Sequence, residues 1–236
     1  AFYKQRRFTI LSTLVVTVYS LHVIRAGGDF MGLHRFLVPI MPLVAVTMGI
    51  GLIMLANWVG NRTNRWVVWS LSIALVVASS IHVKAVDTRA MTVGSENGVD
   101  RIGWLKMFHG QCEAIGRWLS KNAPKDGSLA TTAAGIIPYY SRLYTVDILG
   151  LNDEWVAHNV PAHGTRPGHT KSAPRTYILD KEVDYLIYHP TITERPMIIQ
   201  ARRHPDLANR GYRWRSVKVP ELEPPYWGFW EKKRPE

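Results

Sequence analysis

Cys112 is the only cysteine in the chain. No disulfide can form within it, and cysteine usage marks no redox compartment. Glycine-rich phosphate-cradling fingerprints and nucleophile elbows are also missing, so Gly135 and the hydroxyls of Thr131, Thr132 and Ser141 read as turn and sheet-edge chemistry. Neither internal repeats nor low-complexity tracts occur. Residues 155–179 lack Asp and Glu altogether. That removes the carboxylates a metal would want beside His158, His163 and His169, whose spacing fits no standard zinc pattern. No metal site and no cofactor is expected.

Charge is scarce where a bilayer would forbid it. Residues 36–58 contain no Asp, Glu, Lys or Arg, and residues 66–85 contain only Lys84. With the apolar run at 8–24 they make three stretches of about 17, 23 and 20 residues, the lengths of membrane-crossing helices. Three such runs so close together outweigh a reading as buried helices of a soluble fold. Lys4, Arg6 and Arg7 would suit a signal peptide, but no small-residue cleavage site follows and two further runs come after. Trp58, Trp66 and Trp69 fit an aromatic belt, and Ala45/Gly49 and Ala74/Ala78 fit close helix packing. Lys4, Arg6, Arg7, Arg62 and Arg65 fall on one side, against Arg25 and Arg35 on the other. The positive-inside rule then puts everything after residue 86 outside the cytoplasm.

Beyond a polar, glycine-containing linker at 86–99, the pattern changes. Residues 101–122 read as a helix with Ile102, Leu105, Phe108, Ile115 and Leu119 on one stripe, stopped by Pro124 and Gly127. Strands are expected at 128–132, 144–149, 183–188 and 212–219. A strand-to-helix corner is expected at 133–140, and a short helix opens at Asp153, a natural N-cap. Strands alternating with helices imply a small α/β layer with a mostly parallel sheet.

Two clusters carry chemistry. The first is the loop from Arg25 to Arg35, which sets Gly27, Gly28, Asp29, His34 and Arg35 at a membrane surface, with His22, His82 and Lys84 near the same level. An arginine fork suits phosphate oxygens, and Gly27 and Gly28 permit a tight turn or a close substrate approach. Snorkelling to headgroups is the plainer role for Arg25, Arg35 and Lys84. The second cluster lies in the soluble part. The loop around His163, Arg166, His169 and Lys171 could close over an anionic head or simply be solvated. Arg202, Arg203, Arg210, Arg213, Arg215 and Lys218 with Tyr212 and Trp214 have the look of a nucleic-acid surface, which an outside location excludes. Tyr226, Trp227, Phe229 and Trp230 suit the core or an interface better than sugar stacking. Tyr139, Tyr140 and Asp147 remain candidates for acceptor contact.

The run Gly27-Gly-Asp-Phe-Met-Gly-Leu-His-Arg-Phe-Leu-Val-Pro39 at the mouth of two apolar stretches resembles the late transmembrane region of polyprenyl-phosphate-sugar-dependent glycosyltransferases of the GT-C class. The bacterial arabinofuranosyltransferase-like branch is the nearest. Leu129-Ala-Thr-Thr-Ala-Ala-Gly-Ile-Ile-Pro-Tyr-Tyr-Ser141, followed by Val146-Asp-Ile-Leu-Gly-Leu-Asn-Asp153, is similar to the extracytoplasmic C-terminal domain of that branch. The resemblance implies an enzyme of the bacterial cytoplasmic membrane that moves a sugar from a polyprenyl-phosphate donor to an envelope glycan or lipid acceptor. Arg25, Gly27, Gly28, Asp29, His34 and Arg35 would bind substrate. The family's catalytic carboxylate belongs to a first outer loop that has no counterpart here, so this chain is expected to be the C-terminal portion of a longer enzyme, inactive alone. The expected architecture is three transmembrane α-helices with the outer glycine loop (1–89), then an extracytoplasmic α/β domain (90–236). A non-catalytic, membrane-anchored module that binds an envelope glycan or a partner protein is the alternative.

Overall fold

The computed structural model describes residues 2–28, 35–60, 65–92, 101–164, 166–200 and 203–233. They form two compact units, Ala1–Trp104 and Leu105–Glu236.

The first unit holds α1 (Phe2–Arg25), a 3-10 turn at Val38–Ile40, α2 (Met41–Gly60) and α3 (Arg65–Thr92). Pro39 lies in that turn and Pro42 in the first turn of α2, where a missing backbone donor costs little. α2 packs against both α1 and α3. On α1, Ser12 is buried and Thr9, Val16, Tyr19, Ser20 and Val23 are half-buried, while Leu11, Leu14, Val18, Leu21 and Ile24 are exposed. This polarity is the inverse of a water-facing amphipathic helix. The half-buried side mixes polar and small residues with Val16 and Val23, while most of the large aliphatic side chains face outward. The stretches Arg6–Arg25 and Trp69–Arg89 are long and apolar enough to cross a membrane, and Val38–Met54 is a shorter apolar stretch. The small-residue pairs do not make the expected contacts within this unit. A Cβ on Gly49 would meet nothing within 4 Å, and Ala74 and Ala78 are exposed.

The second unit contains α4 (Ile102–Asn122), β1 (Ser128–Thr131), α5 (Ile136–Ser141), β2 (Tyr144–Asp147), α6 (Glu154–Asn159), α7 (Arg175–Asp180), β3 (Tyr185–Thr193), α8 (Pro205–Asn209), β4 (Tyr212–Lys218) and β5 (Tyr226–Lys232). The sheet order is β2-β1-β3-β5-β4. β1 pairs in parallel with β2 and β3, whereas β5 runs antiparallel to both β3 and β4. The sheet is therefore mixed, not mostly parallel. The difference comes from β5, a strand the sequence pattern hides because it is apolar on both faces.

Alternation along the strands builds two cores. On one face Ile115 and Leu119 of α4 and Ile137 of α5 pack on Leu129, Tyr185, Ile187, Trp227 and Phe229. On the other, Val156 of α6, Ile178 and Leu179 of α7 and Leu207 of α8 cover Ala130, Val146, Leu186, Tyr212 and Trp230. The helices thus sandwich the sheet. Trp227 and Phe229 are fully buried, each worth roughly 1.5–3 kcal/mol or more of apolar burial, so the C-terminal aromatics belong to the core. α4 ends at Asn122, just before Pro124, as expected. α6 is capped by Asp153, whose carboxylate accepts from the Val156 N–H at 3.0 Å.

Candidate functional site

The connection between α1 and α2 begins with a backbone turn. The N–H of Gly27 donates to the Ile24 carbonyl at 3.0 Å and that of Gly28 to the Val23 carbonyl at 2.9 Å. Gly27 and Gly28 have φ of 91° and 79°, left-handed values that side chains other than glycine's disfavour. The pair therefore closes the end of α1 by geometry. Arg25 is exposed in the last turn of α1, where a cation also suits the helix dipole. Across the connection Arg35 is exposed, and its guanidinium lies 5.0 Å from the Phe36 ring centroid. Asp29 and His34 lie outside the described residues. His22, His82 and Lys84 are all exposed.

In the second unit, β1 and β3 leave their parallel pairing at a topological switch. α5 packs on one face and α6 and α7 on the other, the arrangement in which open α/β sheets form a crevice at the carboxyl ends of their strands. Here the ladder is irregular between Ala130 and Thr131, and Tyr188 takes φ 52°. A tyrosine in that region is strained. Its carbonyl accepts from Thr131 Oγ1 at 2.9 Å, Thr132 Oγ1 at 3.3 Å and the Thr132 N–H at 3.0 Å. The Tyr188 hydroxyl is buried without a partner among the described residues, and burial raises its pKa. Next to it, exposed His189 stacks on Phe108 of α4 at 5.2 Å. Nothing in the sequence flags Tyr188, because a positive φ at tyrosine leaves no pattern to read.

The other soluble candidates are held by structural bonds. Asp147 is 2% exposed and accepts from the N–H groups of Leu149 and Asn152 at 2.9 and 2.7 Å. It shapes the turn after β2 and is shut off from an acceptor. Ser141 Oγ accepts from the Leu143 N–H at 3.4 Å. Tyr139 and Tyr140 sit at the surface under cations, with Arg142 5.2 Å from the Tyr139 ring and Arg117 4.7 Å from the Tyr140 ring. In the basic loop, Lys171 donates to the Ala157 carbonyl and so fastens the loop to the end of α6.

Most of the basic set near β4 is neutralised in place. Arg213 and Arg215 converge on Glu231, at 3.0 and 2.7 Å. Arg210 pairs with Asp180 at 2.7 Å. Arg202 lies outside the described residues. Burial pushes the Cys112 thiol up to about 12 and raises the Tyr212 phenol, which donates to the Val183 carbonyl at 2.6 Å. Among the described residues no group of three His, Cys, Asp or Glu side chains is placed to hold a metal ion.

No curated protein and no solved structure matches the chain. A domain of unknown function, DUF8728, matches residues 103–230, which run from the start of α4 into β5. That match covers more than half of the 236 residues, and the chain belongs to the DUF8728 family.

Proposed function

We propose that the chain is part of an integral-membrane glycosyltransferase of the bacterial cytoplasmic membrane, which moves a sugar from a polyprenyl-phosphate donor to an envelope glycan or lipid acceptor. In this reading the three helices of the first unit are transmembrane and the sheet domain is extracytoplasmic. The acceptor hydroxyl attacks the anomeric carbon, the bond to the phosphate oxygen breaks, and polyprenyl phosphate leaves. Arg25 and Arg35 would neutralise that phosphate, with Asp29 and His34 between them, and the base would come from elsewhere in the enzyme.

The observation that carries this reading is the α1–α2 connection. Two exposed guanidiniums flank a glycine turn at the end of an apolar helix long enough to cross a membrane. Cations at a membrane surface favour an anionic lipid head. Arg215, in the second unit, pairs with Glu231 and serves as the control.

Native mass spectrometry of the intact protein with a polyprenyl phosphate tests the assignment. Arg35→Ala should weaken binding about tenfold or more, the loss of one charge-assisted contact, and Arg215→Ala should leave it unchanged. Equal effects, or no specific binding by the wild type, would move the reading to the anchored binding module.

A further inference from the structure

Between α2 and α3 lies a groove of about 650 Å³, in the size range of ligand pockets. Its floor is apolar, from Leu52 of α2 and Leu75, Val76 and Val83 of α3. Towards one end Lys84 and Asp87, three residues apart and so on one face of α3, line the groove, with Thr88 and Met91 beyond them. Two hydroxyls nearby are turned to the helix backbone. Thr88 donates to the Lys84 carbonyl and Ser80 to the Val76 carbonyl, both at 2.8 Å. Lys84 and Asp87 are the charged groups in the groove's lining. Lys84 is exposed and Asp87 half-buried, and no ion pair joins them to each other or to another charge among the described residues. Opposite charges left unpaired at the edge of hydrocarbon are costly unless something neutralises them.

We propose that this groove seats one acyl tail of a bilayer phospholipid with a phosphoethanolamine head, its phosphate at Lys84 and its ammonium at Asp87. The charge order fits a zwitterion whose ammonium can still donate hydrogen bonds. An anionic head leaves Asp87 unmatched, and a quaternary ammonium offers it no donor. Length fits as well. From Leu75 to Lys84, where the phosphate would sit, the helix rises about 14 Å, close to the ~15 Å apolar half-thickness of a bilayer. That suits a single acyl tail and is short for a long polyprenyl chain. The proposal rests on the reading of the first unit as membrane-embedded and is independent of the transferase chemistry.

The test is native mass spectrometry of the intact, detergent-purified protein offered equal amounts of phosphatidylethanolamine, phosphatidylglycerol and phosphatidylcholine. Phosphatidylethanolamine should be retained about tenfold over the other two, the worth of one charge-assisted hydrogen bond. Asp87→Asn should erase the preference over phosphatidylcholine, and Lys84→Gln should weaken retention of all three. Ser79, which lines the groove wall, allows a filling variant. Ser79→Phe should abolish retention while circular dichroism shows unchanged helix content. Equal retention of the three lipids overturns the proposal. So does a preference that survives both Asp87→Asn and Ser79→Phe, or a polyprenyl phosphate displaced by Ser79→Phe but not by Arg35→Ala. A protein that stays in solution without detergent overturns the membrane reading and this proposal together, whereas a detergent-dependent protein without lipid preference overturns the groove alone.

Discussion

Gly228 of β5 lies so close beneath Trp214 of β4 that a Cβ built on it would meet the indole ring at 2.2 Å. The indole is held there by a hydrogen bond from its Nε1 to the Met197 carbonyl at 2.8 Å and by an edge contact with Trp230, 5.5 Å between centroids. Neither ring nor strand can yield without breaking one of these.

Gly228→Ala should therefore destabilise the domain by about 1–3 kcal/mol, the usual cost of overpacking. Gly135, where an added Cβ meets nothing within 4 Å, supplies the control, and Gly135→Ala should change stability by less than about 0.5 kcal/mol. Thermal unfolding followed by near-UV circular dichroism separates the two.

Asp147→Ala should lower stability by about 1–3 kcal/mol for each backbone N–H it orphans, because the turn after β2 closes on that carboxylate through Leu149 and Asn152. A variant of full stability with weakened acceptor binding would contradict the structural role.

Cys112 is fully buried and its thiol is raised from 9.0 to about 12. Iodoacetamide at pH 8 should label it only after unfolding. The linkage has a defined sign. Above pH 9 the unfolded chain gives up this proton while the folded one keeps it, so stability is intact below pH 9 and falls as pH rises from 9 towards 12. Cys112→Ala should flatten the alkaline limb of a stability profile, and an unchanged limb would show that other groups govern it.

Glu231 has a side chain only 13% exposed and draws Arg213 and Arg215 to it from β4. Glu231→Gln should cost about 1–3 kcal/mol, between an exposed and a buried ion pair. It should also release two guanidiniums, so heparin-column retention of the variant should rise. Unchanged retention would mean that the arginines were already open to solvent anions.

The parts of the fold that follow one local rule were readable in the residues. α4 follows its apolar stripe and stops before Pro124, and Asp153 caps α6. β1 and β2 start where the apolar runs do. β5 broke the rule, since Trp227, Phe229 and Trp230 are all buried and leave no polar alternation to mark a strand. The pairing of β5 with β3 then turned half of the sheet antiparallel. α7 and α8 span six and five residues, too short for a helical period to register. At the candidate site, Gly27 and Gly28 form the turn that ends α1, while Asp29 and His34 lie outside the described residues. The contacts of the Tyr188 carbonyl with Thr131 and Thr132 depend on strands distant in sequence and on one backbone angle, which no short motif encodes.

β5 comes last in sequence among the five strands, yet it lies inside the sheet, between β3 and β4. During synthesis β3 can pair with β1 early, but its second ladder and that of β4 wait until residues through 232 are delivered. Until then β3 and β4 each carry an open backbone edge, the feature that chaperones and aggregates both recognise. The order of the strands along the chain thus makes β5 the piece on which closure of the sheet depends. Without β5, β4 has no link to the rest of the sheet, because its ladder runs to β5.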